Sequence, residues 1–252
     1  MPEPRILFVD IETAPIKGYA WGVFDTNLMQ VETPTYMLCF AYKWAGTIKV
    51  NTRALCDYPG YKKDKENDKA LVSELWHLVD KADIIVAHNG DQFDIKKSNS
   101  RFIVHGLPPP SPYKSFDTLK AARRNFKFDS NKLDNIGRYL QVGRKLPTTG
   151  KDLWLGCMTG DQRSWRMMRR YNAQDVRLLE AVYNKVKSWS RHPDVRQFTN
   201  RTGCPTCQSK RVQCRGFNVS KSQKTQKMQC QDCGQWYSGR KFKEPNVWDE
   251  TA

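Results

Sequence analysis

Four cysteines, at positions 204, 207, 230 and 233, constrain this chain more than any other feature. They form two Cys-x2-Cys pairs, Cys204-Pro-Thr-Cys207 and Cys230-Gln-Asp-Cys233, with 22 residues between them. Each pair turns two thiols toward one point, and two such turns supply the four sulfurs of a tetrahedral zinc site. A disulfide framework competes, but the other cysteines (39, 56, 157 and 214) are scattered and offer it no pattern. One structural Zn²⁺ held by Cys204, Cys207, Cys230 and Cys233 is therefore expected.

Charge concentrates in the same place. The 252 residues carry 42 Lys and Arg against 26 Asp and Glu, a formal +16. Between Arg201 and Lys243 there are ten basic residues and a single acid, Asp232. An excess of this kind suits a polyanion, nucleic acid first, although charge alone also serves to keep a protein in solution. The longest apolar run, Tyr36 to Tyr42, is far short of the roughly 20 residues that span a bilayer, so no membrane is expected. Met-Pro-Glu-Pro leads into a strand-like run without a basic or cleavable apolar leader, and the expected location is the cytoplasm.

Three segments follow from composition and period. Residues 1–190 alternate strand-like and helix-like stretches, 191–200 form a polar linker with Pro193, and 201–245 hold the cysteines. In the first segment Arg5 to Glu12, Tyr36 to Ala45 and Thr47 to Leu55 read as strands, with a turn at Ala45-Gly46 and a charged loop from Asp57 to Asp68. Helices are expected over about 68–81 and 93–105, a strand over Asp83 to Ala87, a weaker one over Lys114 to Leu119, and a long helix over about 164–187. The fold class is α/β, a mixed sheet flanked by helices.

Acidic residues interrupt the apolar patterns. On the first strand Ile6, Phe8, Asp10 and Glu12 share one face, since side chains alternate with period two. The two acids lie roughly 6–7 Å apart along the strand, a separation that serves two metal ions about 4 Å from each other. A strand end reaching solvent has the same pattern. On the long helix Met168, Tyr171, Asp175, Leu178, Leu179, Val182 and Val186 fall on one stripe, with Asp175 in its middle. A carboxylate there needs a basic side chain or a metal, because leaving it buried and unpaired costs several kcal/mol. Tyr171 lies one turn away on the same face. The strand exit Ala87-His88-Asn89-Gly90 leads to Asp91 and Asp94 at a helix start, where α/β sheets build sites; a helix-start acid also serves the helix dipole.

Taken together, Asp10-Ile-Glu12-Thr, His88-Asn89-Gly90-x-x-Phe93-Asp94 and Tyr171-x-x-x-Asp175 resemble the DEDD superfamily of 3′→5′ exonucleases, in its tyrosine-bearing (DEDDy) branch. That branch includes the proofreading domains of family B DNA polymerases and DnaQ-like and phage nucleases. The resemblance spans residues 5 to 187 and implies a ribonuclease H-like fold. It implies Asp10, Glu12, Asp94 and Asp175 as ligands of two Mg²⁺ or Mn²⁺ ions and Tyr171 as the residue that orients the attacking water. It also implies Asn89, Phe93 and Arg101 as substrate-side residues, with Asp91 as a rival to Asp94 and Asp117 as a fifth strand-end acid. The cysteine segment resembles a zinc ribbon found beside DNA enzymes. Its Lys210, Arg211, Arg215, Lys221, Lys224, Lys227, Arg240 and Lys241 are candidate phosphate contacts, and Trp236 a candidate stacking residue.

The expected activity is metal-dependent removal of nucleotides from DNA 3′ ends, with the ribbon aiding substrate binding. Single-stranded DNA or 3′ ends lead as partner, RNA stays open because nothing here reads a 2′-hydroxyl, and a replication or repair protein is a further partner. For a phage-encoded chain the location becomes the bacterial host cytoplasm. The competing expectations are an inactive nucleic-acid-binding accessory protein and a structure-selective or RNA-directed nuclease on the same fold.

Overall fold

Strand β1, Ile6–Thr13, holds the centre of the larger sheet. It pairs antiparallel with β4 (Met37–Trp44), Leu7 opposite Trp44 and Asp10 opposite Ala41, and parallel with β6 (Ile84–Ala87), Phe8 opposite Val86. With β5 (Asn51–Ala54) and β7 (Lys114–Asp117) the order is β5-β4-β1-β6-β7, a mixed five-stranded sheet. Between β1 and β4 the chain makes a small two-stranded hairpin, β2 (Lys17–Tyr19) and β3 (Gln30–Thr33). The computed structural model describes residues 3–22, 24, 27–199, 202–220 and 223–243.

Among the described residues six α-helices accompany these strands: α1 (Lys69–Lys81), α2 (Asp94–Val104), α3 (Thr118–Asn125), α4 (Leu133–Tyr139), α5 (Lys151–Thr159) and α6 (Gln162–Val186). They follow from the apolar spacing. Leu71, Val72, Leu75 and Val79 of α1 are buried in one cluster with Leu7, Val9 and Ile11 of β1 and Phe102 of α2. The other face of β1 meets α6, where Phe8 packs edge-on against Tyr183 with ring centroids 5.2 Å apart. Both faces of β1 are thus covered, which explains its nearly continuous apolar run. Truncating Phe8, 1% exposed, would cost about 3–5 kcal/mol.

The elements differ from sequence expectation in instructive places. The strand read as Lys114 to Leu119 stops at Asp117, whose side chain accepts hydrogen bonds from the backbone N–H groups of Leu119 and Lys120 and so starts α3. The strand read as Thr47 to Leu55 is confined to β5, and the charged loop holds two short 3₁₀ turns, Leu55–Asp57 and Pro59–Lys62.

The chain divides into two compact units, Arg5–Lys185 and a second built from Val186–Ala252 with the first four residues. The second contains a three-stranded antiparallel sheet, order β10-β9-β8, from β8 (Val212–Val219), β9 (Gln223–Cys230) and β10 (Trp236–Lys243). The stretch expected as a linker, 191–200, is folded into this unit as far as it is described. Val195 is buried and its N–H donates to the Pro205 carbonyl, while the Arg196 guanidinium sits 5.4 Å from the Tyr237 ring centre.

Among the described residues no helix is long and apolar enough to cross a membrane.

Candidate active site

Period-two alternation sends Asp10 and Glu12 to the face of β1 that α6 covers, and the helical stripe brings Asp175 and Tyr171 to meet them. Ligand oxygens of Asp10, Glu12 and Asp175 lie within 4.8 Å of one another. Asp94 joins from the start of α2. Its Oδ1 accepts a 3.0 Å hydrogen bond from the backbone N–H of Ile11, the residue between the two β1 acids.

The cluster is short of positive charge. Burial raises Asp10 well above the usual carboxylate range, and the charges of Asp94, Glu12 and Asp175 add to the shift in that order. Burial and then Asp175 push Glu12 up to about 7. Burial also takes Asp94 to about 7, against the opposing hydrogen bond from Ile11. Asp175 is raised by burial in spite of Lys145.

Lys145, Asn172 and Trp154 are functional-site residues that sequence reasoning missed. The Lys145 ammonium donates to Asp175 Oδ2 at 2.6 Å and to the Tyr171 hydroxyl at 3.1 Å. Burial disfavours its charge, yet Asp175 holds its pKa above the ordinary lysine value. The Asn172 amide donates to Asp10 Oδ2 at 2.6 Å and to the Asp10 carbonyl at 3.2 Å. Asn172 was findable, because it lies three residues before Asp175 and about 60° around the helix from it. Lys145 sits in a loop with no periodicity, so nothing marked it. Trp154 of α5 adds an indole N–H to Glu12 Oε2 at 3.2 Å and packs edge-on against Tyr171.

One atom remains unaccounted for. Asp175 is 1% exposed, and its Oδ1 is buried without a hydrogen-bond partner. Three carboxylates converging around such an atom offer hard oxygen donors of the kind Mg²⁺ and Mn²⁺ take. The donor set fits a divalent cation. Burial, and next the Asp175 charge, raise Tyr171 to about 12, so its hydroxyl keeps the proton near neutral pH.

The strand-exit loop is built to hold its shape. Asn89 adopts φ 65°, a left-handed conformation that asparagine tolerates, and a Cβ on Gly90 would come within 2.4 Å of the Ala87 Cβ. Asp117 receives the backbone N–H of Asn89 at 3.0 Å and of Asp91 at 3.3 Å, so this fifth acid organises the loop. Asp91 points to Lys120, at 2.6 Å. His88 has both ring nitrogens engaged, with Thr118 and with the Asn131 carbonyl. Asn89 and Lys145 line a groove of about 690 Å³ that opens from Asp10 and includes Arg123 and Lys132. Phe93 is 38% exposed at the head of α2.

Arg101, expected on the substrate side, is placed elsewhere. Its guanidinium binds the fully buried Asp68 through Nε at 2.8 Å and Nη2 at 2.5 Å, with His105 on the same carboxylate. Its charge answers a buried acid that also receives the Met37 N–H, so Arg101 ties α2 to the start of α1 and β4.

In the smaller unit the four expected cysteines come together. Cys204 and Cys233 sulfurs lie 3.6 Å apart, Cys207 and Cys230 sulfurs 3.7 Å apart, and all four within 4.8 Å. Disulfide sulfurs would be about 2.05 Å apart, whereas a tetrahedral site with 2.3 Å Zn–S bonds has sulfurs about 3.8 Å apart. The cluster is compatible with zinc. Burial opposes ionisation of Cys230, but backbone N–H groups of Cys233 and Asp232 bring it down to about 7, poised to ligate. Of the basic candidates, Lys210, Arg215, Lys224, Arg240 and Lys241 are exposed, and Lys227 is half-buried. Lys224 and Arg240 lie over the rings of Phe217 and Phe242. Arg211 is paired with Asp232, Trp236 is 50% exposed, and Lys221 lies outside the described residues.

A sheet of this order, with an acid pair on its central strand and a long helix laid across it, defines the ribonuclease H-like class. The RNase_H_2 model of the RNase_H superfamily matches residues 26–187, more than half of the chain, and the chain belongs to that superfamily. The match starts beyond β1, so Asp10 and Glu12 lie outside it. Nucleases of this fold are hydrolases that generally use divalent metals. Among solved structures, the family B DNA polymerase from the hyperthermophilic archaeon Pyrobaculum calidifontis is similar, with a TM-score of 0.53 at 17% identity, a likeness of fold. The match covers 74% of this chain and 25% of the polymerase. No curated protein matches the sequence.

Proposed function

We propose that this protein is a 3′→5′ exonuclease of the DEDDy kind acting on DNA, with a zinc ribbon that helps retain the substrate. The observation that carries the reading is the convergence of Asp10, Glu12 and Asp175, one of whose buried oxygens has no hydrogen-bond partner, with Asp94 held beside them on the Ile11 N–H. Asp10, Glu12 and Asp175 would hold one Mg²⁺ or Mn²⁺, and Asp10 with Asp94 a second. Bound there, the metals would supply an activated water and stabilisation of the leaving 3′ oxygen.

The protein's own groups prepare that chemistry. Tyr171 accepts a hydrogen bond from Lys145 and turns its own hydroxyl toward Asp175, where it would orient a water bound beside that carboxylate. Lys145 contributes one fixed positive charge near the phosphate that develops charge during attack. Asn172 and Trp154 lock the rotamers of Asp10 and Glu12. The groove bordered by Arg123, Lys132 and Asn89 is open to receive the terminal nucleotide.

Oligonucleotides of DNA and of RNA, labelled at either end and incubated with Mg²⁺, Mn²⁺ or EDTA, test the reading. Mononucleotide release from the 3′ end of DNA, stopped by EDTA, is expected. Internal cuts, release from RNA alone, or no metal-dependent hydrolysis would each replace it with one of the competing activities.

A further inference from the structure

A second groove, of about 750 Å³, lies in the catalytic unit between the loop Pro147–Thr149, the start of α5 and the N-terminal half of α6. Its charged lining is Arg163, Arg166 and Arg170 with one acid, Asp152. Residues spaced i, i+3 and i+7 on a helix fall within about 60° of one another, so the three arginines form one row, roughly 10 Å long at 1.5 Å per residue. All three are exposed, while Trp165 and Met168 between them point into the core.

Among the described residues the row is free of the ion pairs that hold five other arginines of this unit. Arg5, Arg53, Arg101, Arg138 and Arg169 of this unit are each ion-paired, with Asp83, Glu74, Asp68, Asp134 and Asp57. Among the described residues no carboxylate forms an ion pair with Arg163, Arg166 or Arg170. An exposed charge row is often no more than a solvated helix face, but here it lines a concave surface together with the hydroxyls of Thr148 and Thr149.

Position relative to the carboxylates gives the groove its meaning. Three separate segments each put a groove residue next to a site residue. Lys145, on Asp175, is followed two residues later by Pro147 of the groove. Leu153 of the groove precedes Trp154, which donates to Glu12. Arg170 of the groove precedes Tyr171. On these three segments the groove therefore lies one or two residues along the chain from the cluster.

We infer that this groove is a phosphate track that grips the backbone of the nucleic-acid strand several nucleotides away from the bond that is cut. This rests on the proposed nuclease reading, and it names where the rest of the strand goes. Guanidinium groups suit the role because their paired N–H donors match two phosphate oxygens.

The test uses the full chain with Arg163→Gln, Arg166→Gln and Arg170→Gln combined. Binding of a fluorescein-labelled single-stranded DNA of about 20 nucleotides is measured across a KCl series, where each phosphate contact contributes about 0.7 to the slope of log affinity against log salt. The parent should lose about 2 in slope on triple substitution, as two to three contacts disappear. Arg163→Lys, Arg166→Lys and Arg170→Lys together should restore most of it. Arg177→Gln, an exposed arginine of the same helix that does not line the groove, should leave the slope unchanged. On a dinucleotide, too short to reach the row, turnover should match the parent, while KM on the long strand rises about tenfold.

An unchanged slope in the triple Gln variant overturns the track. A loss from Arg177→Gln of about one third of the triple variant's, one charge against three, also overturns it, because the effect would then be one of net charge. A protein that binds with the predicted slopes yet hydrolyses nothing keeps the track and removes the nuclease reading.

Discussion

The two units bury opposite things. In Arg5–Lys185 the central strand is covered on both faces, and that covering is thick enough to take carboxylates out of water and lift Glu12 and Asp94 to about 7. In the second unit seven of the eight residues of β8 are exposed, and the buried cysteines Cys204 and Cys230 take the place of large side chains. One unit has a hydrophobic core and a charge problem at its edge. The other has almost no core and four thiols in its place. A bound metal would therefore mean different things to each: in the first it would relieve repulsion in a fold that has its own core, and in the second it would be the main source of cohesion.

The widest separation between the units should come from metal removal. Chelating zinc, or replacing Cys204 and Cys207 by Ser, should unfold β8, β9 and β10, since zinc ligation in small domains contributes about 10–16 kcal/mol. The catalytic unit should keep its melting transition. Amide hydrogen exchange on the two units checks this, and protection of the small sheet after chelation would make its core, not its metal, the source of stability.

The carboxylates come next. Asp10→Ala, Glu12→Ala, Asp94→Ala and Asp175→Ala should each lower turnover by about 10³-fold or more, equivalent to several kcal/mol of metal stabilisation. The metal-free melting temperature should hold or rise, because repulsion is removed. A variant that loses activity and stability together would make its carboxylate structural.

A smaller loss, about 10²-fold, is expected for Tyr171→Phe, with DNA affinity nearly unchanged because only a water-orienting hydroxyl is lost. Single-turnover rates at saturating substrate separate the two quantities. Lys145→Met should destabilise the metal-free protein by about 2 kcal/mol in urea, less than a fully buried pair would show because the lysine side chain is 32% exposed. Adding Asp175→Asn to that variant should recover most of the loss.

Acidity gives the mildest contrast. Glu12 and Asp94 have folded pKa values of about 7 against ordinary values of 4.5 and 3.8. Between these limits the folded state holds protons that the unfolded chain has released. Stability of the metal-free catalytic unit therefore falls as pH rises from about 4 to 7 and returns on acidification, by about 2–4 °C for each kcal/mol. Mg²⁺ should flatten the trend, since it favours the ionised carboxylates. A metal-free melting temperature that rises across that window would contradict the burial argument.

Local periodicity made much of this legible. Alternation on β1 put Asp10 and Glu12 on one face, the 3.6-residue stripe of α6 aligned Tyr171 with Asp175, and the cysteine spacing named a four-sulfur cluster, because each of these patterns is short in sequence and rigid in space. Arg101 shows the boundary of such reading. The family resemblance implied the substrate side, yet the acid it meets, Asp68, is 33 residues away in sequence.

What the sequence alone determined is therefore the main strands of the larger sheet, the helices with clear apolar stripes, and the acids and thiols those elements carry. Tertiary structure alone decided the partners. Lys145 reached Asp175 from a loop 30 residues away, Asn172 met Asp10 across 162 residues, and the segment before Cys204 folded onto Pro205 instead of hanging free. A helix or strand period fixes direction over a few residues. The charge that answers a buried carboxylate is chosen by which surfaces the hydrophobic core brings together, and no local pattern encodes that choice.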